Sequence, residues 1–204
     1  MVDHDEGWKL WTDMVRYYPA GVHRRRLVRS WTSGLDIETV LDVGCGPGHL
    51  LDEMRQALPD VQLTGVDNSA ATVAENRIRQ PWVRWETVDI TQDSLNESFD
   101  LVICSEVLEH TRDDAASLAN LVDMTGRYLM ITVPSGPIRP LEAGFGHLRH
   151  YTLPGLEKMV RGAGLDIVRS SAWGFPFMSM FKVASNLRPD ATMSGFGDGE
   201  WSAP

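Results

Sequence analysis

Residues 40–51 read Val40-Leu41-Asp42-Val43-Gly44-Cys45-Gly46-Pro47-Gly48-His49-Leu50-Leu51, a short apolar run that passes straight into three glycines at alternate positions and then into a helix. Glycine removes the Cβ where backbone must bend sharply and approach a ligand, and the helix that follows points its free N–H groups at whatever sits there. The stretch predicts a nucleotide-binding turn, and its spacing narrows the nucleotide. A dinucleotide turn reads G-x-G-x-x-G, whereas this one reads G-x-G-x-G with Asp42 two residues before Gly44. That acid is badly placed for a pyrophosphate and well placed for an ammonium.

Outward from the turn the pattern alternates. Strands are expected over Thr39–Val43, Val61–Val66, Val83–Val88, Leu101–Cys104, Tyr128–Val133 and Leu165–Ser170. Helices are expected over His49–Leu58, Ala70–Arg79, Asp113–Met124 and Pro154–Gly162, the last capped by Thr152. Near-continuous apolar strands separated by helices indicate an α/β fold, a mostly parallel sheet covered on both faces, with ligands at the carboxyl ends of the strands. Residues 1–34 read as an aromatic helical lid broken near Pro19, 35–172 as the core, and 173–204 as an apolar segment with an acidic tail. The apolar segment suits a substrate lid or a homodimer face. The stretch Pro134–Tyr151, with three glycines, three prolines and two histidines, reads as a long functional loop.

The 204 residues suffice for one domain. A formal charge of −9 disfavours nucleic acid as a partner. The basic run His23-Arg24-Arg25-Arg26 reads as a solvated helix face. Two cysteines, no leader and no long apolar run fit a cytoplasmic protein with free thiols and no membrane span.

On Asp42, Gly44, Gly46 and Gly48 the chain resembles the class I S-adenosylmethionine-dependent methyltransferases, whose first motif reads D-x-G-x-G-x-G; the resemblance spans about residues 35–172. It implies a Rossmann-like fold, here with the final antiparallel strand hard to find, and S-adenosylmethionine as cofactor. Asp67, with Asn68 after it, then corresponds to the acid that accepts from the ribose hydroxyls. Asp89 corresponds to the acid at the adenine amino group, with Ile90 packing on the ring. Cys45 lies within the glycine turn, and Ser105 and Glu106 reach the methyl end after the fourth strand.

A second constellation follows. If Ser105-Glu106-Val107-Leu108-Glu109-His110 is helical, Glu106 and Glu109 share one face with His110 beside them. This block resembles those of ubiquinone-biosynthesis O-methyltransferases and of small-RNA 2′-O-methyltransferases, which hold a divalent ion with Glu-x-x-Glu-His and a later histidine. The resemblance implies Glu106, Glu109, His110 and His147 as ligands of Mg²⁺, Mn²⁺, Fe²⁺ or Zn²⁺, with His150 the alternative to His147. His110 or His147 could equally serve as general base, with Glu106 bordering the methyl donor. The expectation is methyl transfer to oxygen of a small-molecule acceptor. The rivals are 2′-O-methylation of RNA and a non-catalytic S-adenosylmethionine-binding regulatory module.

Overall fold

The computed structural model describes residues 16–174 and 176–187. Five parallel strands form one sheet: β1 (Thr39–Val43), β2 (Gln62–Asp67), β3 (Arg84–Thr87), β4 (Phe99–Ser105) and β5 (Thr125–Thr132), in the spatial order β3-β2-β1-β4-β5. The chain runs outward from β1 to β3, then crosses back to β4 on the other side. The strand order therefore reverses between β1 and β4, which opens a crevice above their carboxyl ends.

The helices are α1 (Pro19–Thr32), α2 (His49–Ala57), α3 (Ala70–Arg79), α4 (Asp114–Asp123), α5 (Pro140–Gly144), α6 (Leu153–Gly162) and α7 (Phe177–Ser185). Period-two alternation in the central strands divides the core between them. Val40, Leu101 and Ile103 face a cluster with Val28 of α1, Leu51 and Met54 of α2 and Val73 of α3. Leu41, Val102 and Cys104 face the opposite cluster, with Leu118 and Leu121 of α4. Ser69 caps α3 by accepting from Thr72 N at 3.0 Å, and Thr152 caps α6 by accepting from Gly155 N at 3.2 Å. Cys45 and Cys104 are buried free thiols.

The expected strand at Leu165–Ser170 is absent; the segment is irregular, with Val168 84% exposed. Its alternation fits a strand, but a strand also needs a partner, and β5 pairs only with β4 among the described residues. The expected break near Pro19 falls at Tyr18, after which Pro19 opens α1 from its first turn, where its missing N–H costs nothing. Residues 1–15, including Trp8 and Trp11, Phe175, and the tail 188–204 lie outside the described residues. The arginines of α1 are not simply solvated. Arg25 and Arg29 grip Glu53 of α2 at 2.6 and 3.1 Å, and Arg24 reaches Glu106 at 3.3 Å.

Among the described residues no helix is long and apolar enough to cross a membrane. α7 packs Phe181 near Tyr18, with ring centroids 5.8 Å apart, and leaves Phe177 and Met180 exposed.

Candidate active site

The glycine turn leaves β1 with Gly44, Gly46 and Gly48 all at positive φ, 66°, 49° and 75°. Two of these also answer to packing. A Cβ on Gly44 would lie 2.4 Å from Val107 Cγ2, and one on Gly48 would lie 2.7 Å from the Trp85 ring. The tip is fastened from both sides. Gly46 N donates to Asp67 Oδ2 at 2.9 Å, and Asn76 Nδ2 donates to Gly46 O at 2.7 Å. Gln80 and Arg79 donate to Pro47 O, each at 3.3 Å. Asn76 and Gln80 were not legible as site residues; their signal is two amides spaced i, i+4, one on the buried face of α3 and one at its C-cap.

Asp42 and Asp67 stand at the inner edge of this turn, both buried. Desolvation, reinforced by the neighbouring Asp67 and opposed by Arg24, pushes the Asp42 carboxyl up to about 8. Asp67 also accepts from Ser69 N at 3.0 Å, and Asn68 beside it is exposed. Asp89 ends β3's extension and is held in its own turn, accepting from Thr91 N, Thr91 Oγ1 and Gln92 Nε2. Partial burial raises its carboxyl, but these hydrogen bonds outweigh it and leave the group below its ordinary value. Ile90 is buried in the core cluster under α4.

At the end of β4 the chain departs from the expected helical turn. Glu106 alone among non-glycine described residues has positive φ, 58°, a conformation costing about 1 kcal/mol or more. A 3-10 turn begins only afterwards, at Leu108–His110. Glu106 and Glu109 therefore do not share a helical face. The Glu106 carboxylate turns toward α1 and β5, pairing with Arg24 at 3.3 Å and accepting from Thr132 Oγ1 at 3.3 Å. Ser105 Oγ lies 2.9 Å from the same Thr132 hydroxyl.

Glu109 is wholly buried, and neither carboxylate oxygen has a hydrogen-bond partner. Burial, then repulsion from Glu106, pushes its carboxyl up to about 8. The loop 134–151 returns to it: Tyr151 N donates to Pro134 O at 3.0 Å, closing the loop, and Leu148 N donates to Glu109 O at 2.8 Å. Ligand atoms of Glu109, His110 and His147 thereby fall within 4.8 Å of one another. Glu106 is not in this group, and His150 stands behind His147, its Nε2 2.8 Å from His147 Nδ1.

Beside these residues a cavity of about 480 Å³ lies between α1, β5, α6 and α7, walled by side chains such as Val28, Trp31, Ile131, Leu156 and Met178. Glu106 and His147 line it where it meets the carboxyl ends of the strands. Two of its lysine and arginine side chains are matched by acids, Arg24 by Glu106 and Lys182 by Glu142 at 3.0 Å.

Comparison with known proteins gives one consistent result. The methyltransferase domain family matches residues 41–126. An uncharacterised methyltransferase of Mycobacterium tuberculosis is 30% identical over 153 residues, 73% of this chain and 76% of that protein. The ubiquinone biosynthesis O-methyltransferase of Pseudomonas paraeruginosa is 35% identical over 123 residues, 56% of this chain and 52% of that protein. Among solved structures, the N-methyltransferase NodS from Bradyrhizobium japonicum, in complex with S-adenosylhomocysteine, superposes with a TM-score of 0.59 at 22% identity, over 76% of this chain and 81% of that one.

Proposed function

This chain belongs to the class I S-adenosylmethionine-dependent methyltransferases, and from that premise we propose that it methylates an oxygen of a small, largely apolar molecule. The observation that carries this reading is the apolar cavity, which meets Glu106 and His147 at the carboxyl edge of the sheet. When bound, the cofactor supplies a methyl group already activated on a sulfonium, so no protein nucleophile is needed. The chain's task is to hold the donor, to orient the acceptor and to take its proton.

The donor's residues follow the crevice. Gly44, Cys45, Gly46 and Gly48 present the backbone of the turn, Asp42 faces the ammonium side, Asp67 and Asn68 the ribose, Asp89 and Ile90 the adenine, and Ser105 the methyl end. Asp42 makes this testable through pH. Its folded carboxyl titrates near 8, and a bound ammonium favours the charged form. Binding of S-adenosylhomocysteine at pH 7 is therefore expected to release a fraction of a proton, and affinity to rise between pH 6 and 8. Calorimetry in buffers of different ionisation enthalpy reads that release, and proton uptake instead would exclude this role.

Proton removal falls to His147. Burial, then the neighbouring His110, His150 and Lys182, pushes its ring down to about 3, so it is neutral and offers a lone pair to the acceptor hydroxyl, but as a weak base it takes the proton only as methyl transfer makes that oxygen cationic and acidic. In a second reading of the same residues, in which His147 is a ligand and no longer the base, the Glu109 carboxylate, which has no hydrogen-bond partner, would hold a divalent cation together with His110 and His147. One oxygen and two nitrogens suit Mn²⁺, Fe²⁺ or Zn²⁺ better than Mg²⁺. Such an ion would lower the pKa of an acceptor hydroxyl.

The deciding experiment incubates the protein with labelled S-adenosylmethionine and a panel of phenols, catechols, hydroxy acids and carboxylic acids. Label in a methyl ether or in a base-labile methyl ester supports the reading. Label on nitrogen or carbon, or in RNA alone, overturns it.

A further inference from the structure

The loop that delivers His147 also delivers His150, and the two rings are joined to a backbone carbonyl in series. His150 Nδ1 lies 3.0 Å from Gly136 O, and its Nε2 lies 2.8 Å from His147 Nδ1. A carbonyl oxygen only accepts, so His150 Nδ1 must carry the hydrogen of that bond. In a neutral imidazole the other nitrogen then bears a lone pair, which makes His150 Nε2 an acceptor. His147 Nδ1 must donate to it. The proton of the neutral His147 ring is thereby fixed on Nδ1, and its Nε2 is left as a bare lone pair.

We propose that His150 is a positioning residue that locks His147 into the Nδ1–H tautomer, so that Nε2 is the nitrogen available to an acceptor hydroxyl or a metal ion. The effect opposes the ring's own preference, because an isolated neutral histidine in water favours hydrogen on Nε2. It also gives the two loop histidines different tasks instead of making them alternatives. His110 has a bond of the same kind, with Nδ1 3.3 Å from Gly146 O, so both imidazoles of the cluster are anchored through Nδ1 to a carbonyl, one directly and one through His150. Anchoring of this kind orients metal-binding and general-base imidazoles elsewhere in proteins. The methyl-transfer reading above determines only what the lone pair does, and the tautomer stands apart from it.

The test is long-range ¹H–¹⁵N spectroscopy of ¹⁵N-histidine-labelled protein, stripped of metal with chelator, at pH 8, with the His147 signals identified by their loss in His147→Asn. A pyrrole-type Nδ1 and a pyridine-type Nε2 are expected. His150→Phe should move His147 toward the Nε2–H form. His150→Gln should restore the native pattern, because its amide can donate to Gly136 O while its oxygen accepts from His147. Co²⁺ affinity, read from visible absorption, should fall 10- to 100-fold in His150→Phe and by no more than a few-fold in His150→Gln. A wild-type His147 in the Nε2–H form overturns the inference even if Co²⁺ binds. The Nδ1–H form in a protein that takes up no Co²⁺ supports the inference and removes the metal reading instead. If His150→Phe does not fold, the wild-type tautomer and the glutamine variant still decide.

Discussion

Replacing Glu109 by glutamine is expected to stabilise the metal-free protein at pH 8 by about 2–4 kcal/mol while abolishing its response to divalent cations. The Glu109 carboxyl rises from 4.5 to about 8 on folding, and each unit is worth about 1.4 kcal/mol. The sign follows from proton binding. Between pH 4.5 and 8 the folded chain holds a proton at Glu109 that the unfolded chain has lost, so stability falls as pH rises through that window and levels off above it. Glutamine keeps the shape without the titration. The whole rise would amount to about 5 kcal/mol, and relaxation around a newly charged group lowers the expected gain to about 2–4 kcal/mol. Asp42 shifts the same way, so the variant should keep part of the wild-type pH dependence and lose the rest. Urea unfolding at pH 5.5 and 8 measures this. Adding Zn²⁺ or Co²⁺ should then raise the wild-type midpoint and leave that of Glu109→Gln in place, since a ligand stabilises only the state that binds it. A wild type more stable at pH 8 than at 5.5 without metal, or equal cation responses in the two proteins, would defeat the assignment.

Glu109 stands among the candidate ligands in the chain, but its complete burial was not legible there. The glycine turn, β1 at Thr39–Val43 and α3 at Ala70–Arg79 have the residues expected, because apolar periodicity, Ser69 as cap and the glycines all act locally. Three of the four ligands that the resemblance implied, Glu109, His110 and His147, have ligand atoms within 4.8 Å of one another, although nothing local brings residue 147 to residue 109. That depends on the Leu148 N to Glu109 O bond and on closure of the loop at Pro134 and Tyr151. Glu106 was misplaced because Glu-x-x-Glu spacing presumes a helix, and the backbone there turns left-handed before any helix starts. Its partner, Arg24, is 82 residues away in a run that reads as solvent-facing. Leu165–Ser170 misled for a related reason. Alternation specifies two faces, whereas a strand is completed only by a neighbour. In each case the deciding contact is tertiary.

Asp67 carries the other large expected effect, because one carboxylate serves both the turn and the proposed ribose contact. Its Oδ2 accepts from Gly46 N and its Oδ1 from Ser69 N, and a carboxylate oxygen can accept more than one hydrogen bond. Asp67→Ala would remove the acceptor from the ribose and free the tip of the glycine turn together. Hydrogen bonds to a charged group are worth about 1.5–3 kcal/mol each, so the loss in S-adenosylhomocysteine affinity should reach about 3 kcal/mol, more than a hundredfold. The two causes can be separated. Asn76→Ala cuts the bond from the other side of the tip, at Gly46 O, without touching the carboxylate, and should cost about tenfold or less if the neutral hydrogen bond contributes near 1 kcal/mol. Asp67→Asn leaves one acceptor oxygen and turns an NH₂ toward a backbone N–H, so it should fall nearer to alanine than to the wild type. Titration calorimetry on the three variants, each checked for an unchanged far-ultraviolet spectrum, orders them. Should Asn76→Ala match Asp67→Ala, the carboxylate acts only by holding the turn; should Asp67→Ala bind within threefold of the wild type, the ribose site lies elsewhere in the crevice.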